Sequence, residues 1–171
     1  LRAPESRFSF PTGVVKMGDG ALVIADMDNN RLRKLQNGVV TTLAGEEFDF
    51  EDEEEEELRD GPGATARFRR PTGMTLDTHR RLLVADEGNR RIRRVTSEGE
   101  TTTIGGADGP RIEGMPHGIL VANDGATIVS VLNRPNRICT LSADGTLTTL
   151  AGSAEDGFVD GRGEAARFWD P

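Results

Sequence analysis

At 171 residues, with 35% hydrophobic residues and 21 glycines, the chain is long enough to bury one core but too glycine-rich for a helical bundle. A turn-rich all-β domain is expected. No apolar run approaches the length of a membrane span and no charged-then-apolar leader opens the chain, which argues against a membrane partner. The lone Cys139 excludes an internal disulfide and, with no N-x-S/T sequon, favours an intracellular compartment. The net charge of −8 is a local property: residues 46–60 hold eleven acids, among them Glu53, Glu54 and Glu55, leaving 18 acids against 20 bases elsewhere. Such a run buries too little surface to offset its ordering entropy, so it is expected to be a disordered insert.

In chain order the pattern comes in three units. The first opens on "RFSFPTG" and runs "VVKM", "ALVIAD", "RLRKL" and "VVTTLAG", with "GDG" and "NG" turns between. The acidic insert follows, then "DGPGATARFRRPTG" and a second unit: "MTLD", "RLLVAD", "RIRRV", "ETTTIGG". The third unit begins at "MPHG" and runs "ILVA", "TIVSVL", "RICTL", "TLTTLAG". The third segment of each unit alternates charged with aliphatic residues, the period of a half-buried strand, and the N-G, E-G and D-G dipeptides favour tight hairpins. The chain closes on "DGRGEAARFWDP", which repeats residues 60–71 at an offset of 100 with seven identities in twelve positions. The reading is a β-propeller segment of three four-stranded blades at 11–45, 71–106 and 116–152. The repeated phrase is then a blade-to-blade connector. Phe8, Phe68 and Phe168 are expected to plug between blades, while Pro11, Pro71, Pro116 and Pro171 fix φ where an innermost strand begins.

"ADMDNNRLRKL" and "ADEGNRRIRRV" resemble the NHL repeat, whose signature falls here on Asp26, Asn29, Arg31 and on Asp86, Asn89, Arg91. In the third unit, "VLNRPNRICTL", the same alignment sets Leu132 and Pro135 in place of the Asp and Asn and keeps Arg137. The Asp and Asn are expected to hold a hairpin in register, and the arginine to pair with the Asp. The resemblance implies a ring of about six blades, half of it present here. Three blades leave two open faces, to be closed by further blades of the same chain or by a second copy. The chain starts and ends at one phase of the repeat, so continuation into another blade is expected over a dimer.

Chemistry is sparse. His79 falls in a turn. His117 replaces the threonine of the other units at the mouth of an innermost strand, but one histidine does not make a zinc site. Cys139 reads as core. The acidic run lacks the spaced oxygens and turn glycine of a calcium loop, so no metal or cofactor is called for. The second unit is rich in arginine, and Arg69, Arg70, Arg90 and Arg94 with His117 and the acidic insert form a candidate interaction surface. The lack of tyrosine and the single tryptophan argue against nucleic acid. The expectation is a non-enzymatic protein-interaction platform, such as the recognition part of a ubiquitin-ligase-type adaptor. Two alternatives stand beside it: a metal-dependent lyase or hydrolase with ligands on other blades, and an RNA-binding module using the second blade.

Overall fold

The computed structural model describes residues 7–46, 58–105, 112–133 and 135–171, and the acidic stretch with Glu53, Glu54 and Glu55 lies outside them. The described chain forms twelve strands in three four-stranded antiparallel meanders. The first holds β1 (Pro11–Lys16), β2 (Leu22–Asp26), β3 (Arg31–Gln36) and β4 (Val39–Ala44). The second holds β5 (Pro71–Leu76), β6 (Leu82–Asp86), β7 (Arg91–Val95) and β8 (Thr101–Gly105). The third holds β9 (Met115–Val121), β10 (Thr127–Leu132), β11 (Asn136–Leu141) and β12 (Leu147–Ser153).

β1 lies against β5 and β5 against β9, so the first strand of each sheet is the innermost and the sheets fan out as blades. These strands approach so closely that a side chain at Gly73 would run into the His117 carbonyl oxygen, and one at Gly13 would lie 2.5 Å from the Thr72 oxygen. The glycine of each P-T-G is thus a packing requirement. Blade contact supplies the core. Val23, Ala25, Leu32 and Ala44 of the first blade meet Leu82, Val84 and Val95 of the second, with Ala66 and Phe68 of the connector between them. Ala85 and Ile92 meet Val129, Val131 and Cys139 across the next junction, together with Ile112. Phe68 is fully buried, as a plug should be, while Phe8 is 39% exposed. Burying a phenylalanine stabilises by about 1.5–3 kcal/mol, so the first junction owes much to one side chain.

Asp86 is fully buried. Its Oδ1 accepts the Arg69 N–H at 2.7 Å, and its Oδ2 accepts Asn89 Nδ2 at 2.9 Å and Arg93 Nη1 at 2.7 Å. Burial pushes the Asp86 carboxyl upward, and Arg93, Asn89 and the Arg69 N–H oppose it. Arg93 also donates to the carbonyls of Arg67 and Arg59 and to Asp60, at 2.7–2.8 Å, with its guanidinium 4.9 Å from the Phe68 ring. One arginine therefore ties the blade to the connector before it. The first blade repeats the design more loosely: Asp26 accepts Ser9 N–H, Asn29 and Arg33, the last at 3.2 Å, and Arg33 lies 5.7 Å from the Phe8 ring.

Two expectations change. The arginines bonded to the signature aspartates in this latch are Arg33 and Arg93, two residues beyond Arg31 and Arg91, which sit directly opposite the aspartates in the ladder. In the third blade it is Val131, not Leu132, that holds the aspartate's place: it pairs with Pro116 and Arg137 as Asp26 pairs with Pro11 and Arg31. The turn there is one residue longer. Cys139 occupies the place of Arg33 and Arg93, so a buried apolar pair replaces the buried ionic one.

Candidate active site

The start of each first strand pairs with the end of the second, so both lie at one end of the blades. That end carries Asp28, Arg70, Glu87 and His117. His117, second after Met115 on β9, is held by its backbone: the Thr72 hydroxyl donates to its carbonyl at 3.1 Å, and the following Gly118 N–H donates to Ser130 Oγ at 2.9 Å. Its side chain is 45% exposed, and its Nδ1 lies 2.7 Å from Oε2 of Glu87, which is only 13% exposed. Glu87 leads the turn after β6, and the Gly88 N–H bonded to the Arg69 carbonyl at 2.8 Å pins that turn to the connector. The carboxylate therefore comes from the second blade and the imidazole from the third.

The hydrogen bond that the His117 imidazolium donates to Glu87 is the main cause that raises the His117 pKa above its ordinary range; partial burial works against it, and the charge of Glu87 adds to it. Arg70 stands on the other side of Glu87. Its φ of 50° places it in the left-handed region, and its N–H donates to Asn30 Oδ1 at 2.8 Å. Its guanidinium lies 3.9 Å from both Glu87 Oε1 and Asp28 Oδ1. Half-exposed pairs at that distance contribute little to stability. The four groups form a row of alternating charge across the first two junctions: Asp28, Arg70, Glu87, His117.

Chemically, His117 with its Nδ1 committed to a carboxylate has Nε2 left to take or give a proton. Arg70 adjoining that pair can balance negative charge developing on a substrate oxygen. Among the described residues no three His, Cys, Asp or Glu side chains converge as metal ligands. His117 and Glu87 would supply at most two donors.

The other residues singled out from sequence do not gather here as one surface. Arg69 and Arg90 belong to the same loop end, but Arg94 Nε approaches Asp77 (3.8 Å) at the opposite end, where His79 also lies. There a cavity of about 440 Å³ between the first two blades is lined by Asp19, Lys34, His79, Arg80 and Glu98. Arg93 is buried as well, so the arginines of the second blade are divided between the two ends and the interior. Glu87 and Asp28 were not legible as site residues. The only signal for Glu87 is its place directly after the signature aspartate, and its partner lies 30 residues away.

No protein-family model matches the chain, and no curated protein sequence does. Solved structures do. Virginiamycin B lyase from Staphylococcus aureus matches with a TM-score of 0.61 at 20% identity, over 85% of this chain and 42% of that one. A gluconolactonase from Xanthomonas campestris gives 0.63 at 20% identity over 88% and 50%. A nidogen–laminin complex gives 0.58 at 18% identity over 84% and 49%. The chain thus spans about half the length of these structures, and at such identities the likeness establishes the β-propeller fold. It also corrects the expected function. The non-enzymatic platform, and with it the answer that the chain is no enzyme, is overturned by the fact that the similar structures include a lyase and a gluconolactonase.

Proposed function

We propose that this chain is the acid–base-bearing portion of a propeller enzyme of the lyase or hydrolase class. The observation that carries the reading is the 2.7 Å contact between His117 and Glu87 across two blades, beside Arg70, at the loop end. Glu87 fixes the imidazole and stabilises the imidazolium that forms when Nε2 takes a proton. Arg70 offsets charge on the substrate oxygen. Blades beyond the three described here would complete the wall of the site, and any metal ligands would come from them. Within the propellers, the spacing of Asp26 to Asn29 and of Asp86 to Asn89 supports an NHL-type repeat.

The test is lactone hydrolysis followed by base uptake, with δ-gluconolactone as first substrate, using this chain and any longer protein that contains it. His117→Gln is expected to lower the catalysed rate by about 10²–10⁴-fold, the usual contribution of a positioned acid–base group. The rate should rise with pH through a value above the ordinary imidazole pKa. An equal rate in His117→Gln would remove this histidine from the chemistry. Elimination without water consumption would move the enzyme to the lyase side.

A further inference from the structure

The connector at residues 159–171 repeats the bridge and the final turn of the one at 59–71, while the glycines between differ: Gly61 and Gly163 have φ of 129° and 56°, and Gly161 and Gly63 lie outside the left-handed region. Val159 and Arg167 form the antiparallel bridge that Arg59 and Arg67 form, and Asp170, with a φ of 47°, repeats the left-handed conformation of Arg70 before the proline. In the first of these connectors four groups receive one guanidinium: the Arg59 and Arg67 carbonyls, the Asp60 carboxylate and the Phe68 ring all take Arg93. The same four recur as the Val159 and Arg167 carbonyls, Asp160 and Phe168. Asp160 has no hydrogen-bond or ion-pair partner among the described residues, and Asp60, its equivalent, also takes the Thr103 N–H and hydroxyl. A cavity of about 580 Å³ lies over this set, lined by Ala151, Phe158, Asp160, Ala166, Phe168 and Trp169. Phe158 and Trp169 stack over its rim at 6.3 Å, exposed by 87% and 59%.

Connector and blade types go together in this chain. The blades with a buried Asp and Arg, Asp26 with Arg33 and Asp86 with Arg93, follow connectors that carry Arg-Phe (Arg7-Phe8 and Arg67-Phe68). The blade with Val131 and Cys139 follows one whose described part, from Ile112, has no phenylalanine.

We infer that the slot at Val159, Asp160, Arg167 and Phe168 is a docking site for a propeller blade of the Asp86–Arg93 class, which inserts a strand arginine into it. The residue facing Trp169 in that blade is glycine. In the filled junction a side chain at Gly88 would come within 2.5 Å of Arg69 Cγ, and Trp169, which takes the place of Arg69, is bulkier. In the first blade the corresponding Asp28 faces the small Ser9, whose carbonyl accepts its N–H at 3.1 Å. A second copy of this chain does not fit. Its first blade presents Asp28 where glycine is needed, and its Arg33 already stacks on its own Phe8.

The experiment appends a copy of residues 72–105 directly after Pro171, which stands where Pro71 stands. Trp169, the only tryptophan, reports docking by its emission and by acrylamide quenching. The expected result is a blue-shifted emission and a several-fold fall in quenching, on a monomer by light scattering. Both effects should be lost with Arg93→Met in the appended copy and weakened with Asp160→Asn in the host, a substitution that leaves every described contact of the three blades in place. Docking that ignores both substitutions overturns the guanidinium slot. A tryptophan that stays exposed in the fusion overturns the docking site altogether. Burial of Trp169 in the unextended chain with a doubled mass would assign the face to a second copy instead.

Discussion

The second and third blades solve one structural problem with opposite chemistry. In the second, Asp86 and Arg93 are both fully buried and together reach the connector at Arg59, Asp60, Arg67 and Arg69. In the third, Val131 and Cys139 occupy those two places and pack with Ala85, Ile92 and Ile112. The ionic version is a latch: it fixes where the connector runs. The apolar version gives adhesion without direction. The segment before the third blade can accordingly be short, whereas the connector before the second must thread a phenylalanine between blades while an arginine holds its carbonyls.

The largest effect that would break this contrast comes from Arg93→Met. It leaves Asp86 buried without its cation and takes a donor from two connector carbonyls, of which that of Arg59 keeps another, the Arg67 N–H at 3.0 Å, so a loss of about 3–5 kcal/mol is expected in urea unfolding. A loss below about 1 kcal/mol would show that Arg93 is not a latch. Arg33→Met should cost less, about 1.5–3 kcal/mol by the same measurement, because Arg33 is 13% exposed and holds Asp26 by a single 3.2 Å contact. The double substitution Asp86→Val with Arg93→Cys copies the third blade into the second. It should be less damaging than the sum of the two single changes, with a coupling of about 0.5–3 kcal/mol. Additivity would mean that the two residues act separately.

The smallest expected effect is electrostatic. His117 has a folded-state pKa raised above its unfolded value by Glu87. Its contribution to stability is therefore fully present below the ordinary imidazole pKa and is lost as pH rises through the raised one. After screening at this half-exposed position it amounts to less than about 1 kcal/mol. The difference in unfolding midpoint between wild type and His117→Gln, followed from pH 5 to pH 9, should shrink as pH rises. A difference that grows would reverse the sign.

Much of the architecture was legible because it rests on local rules. Alternation in "RLRKL" and "RIRRV" marks half-buried strands, and Asn37-Gly38, with φ of 51° and 77°, takes the hairpin conformation its residues favour. What failed were choices between neighbours. Arg31 and Arg33 share a face by period two, so sequence alone could not say which one reaches Asp26. One extra residue in the third turn moved the aspartate's place from Leu132 to Val131, which no periodicity reveals. His117 stood out as a histidine where Thr12 and Thr72 stand. Glu87 did not, because its role exists only once the second and third blades are side by side.

The central claim, that Glu87 tunes His117 for proton transfer, is tested most directly by following the His117 ring protons by NMR against pH, in wild type and in Glu87→Gln. The account predicts a wild-type pKa above the ordinary imidazole value of about 6.5 that falls in Glu87→Gln. A His117 that titrates at the ordinary value in both proteins would contradict it.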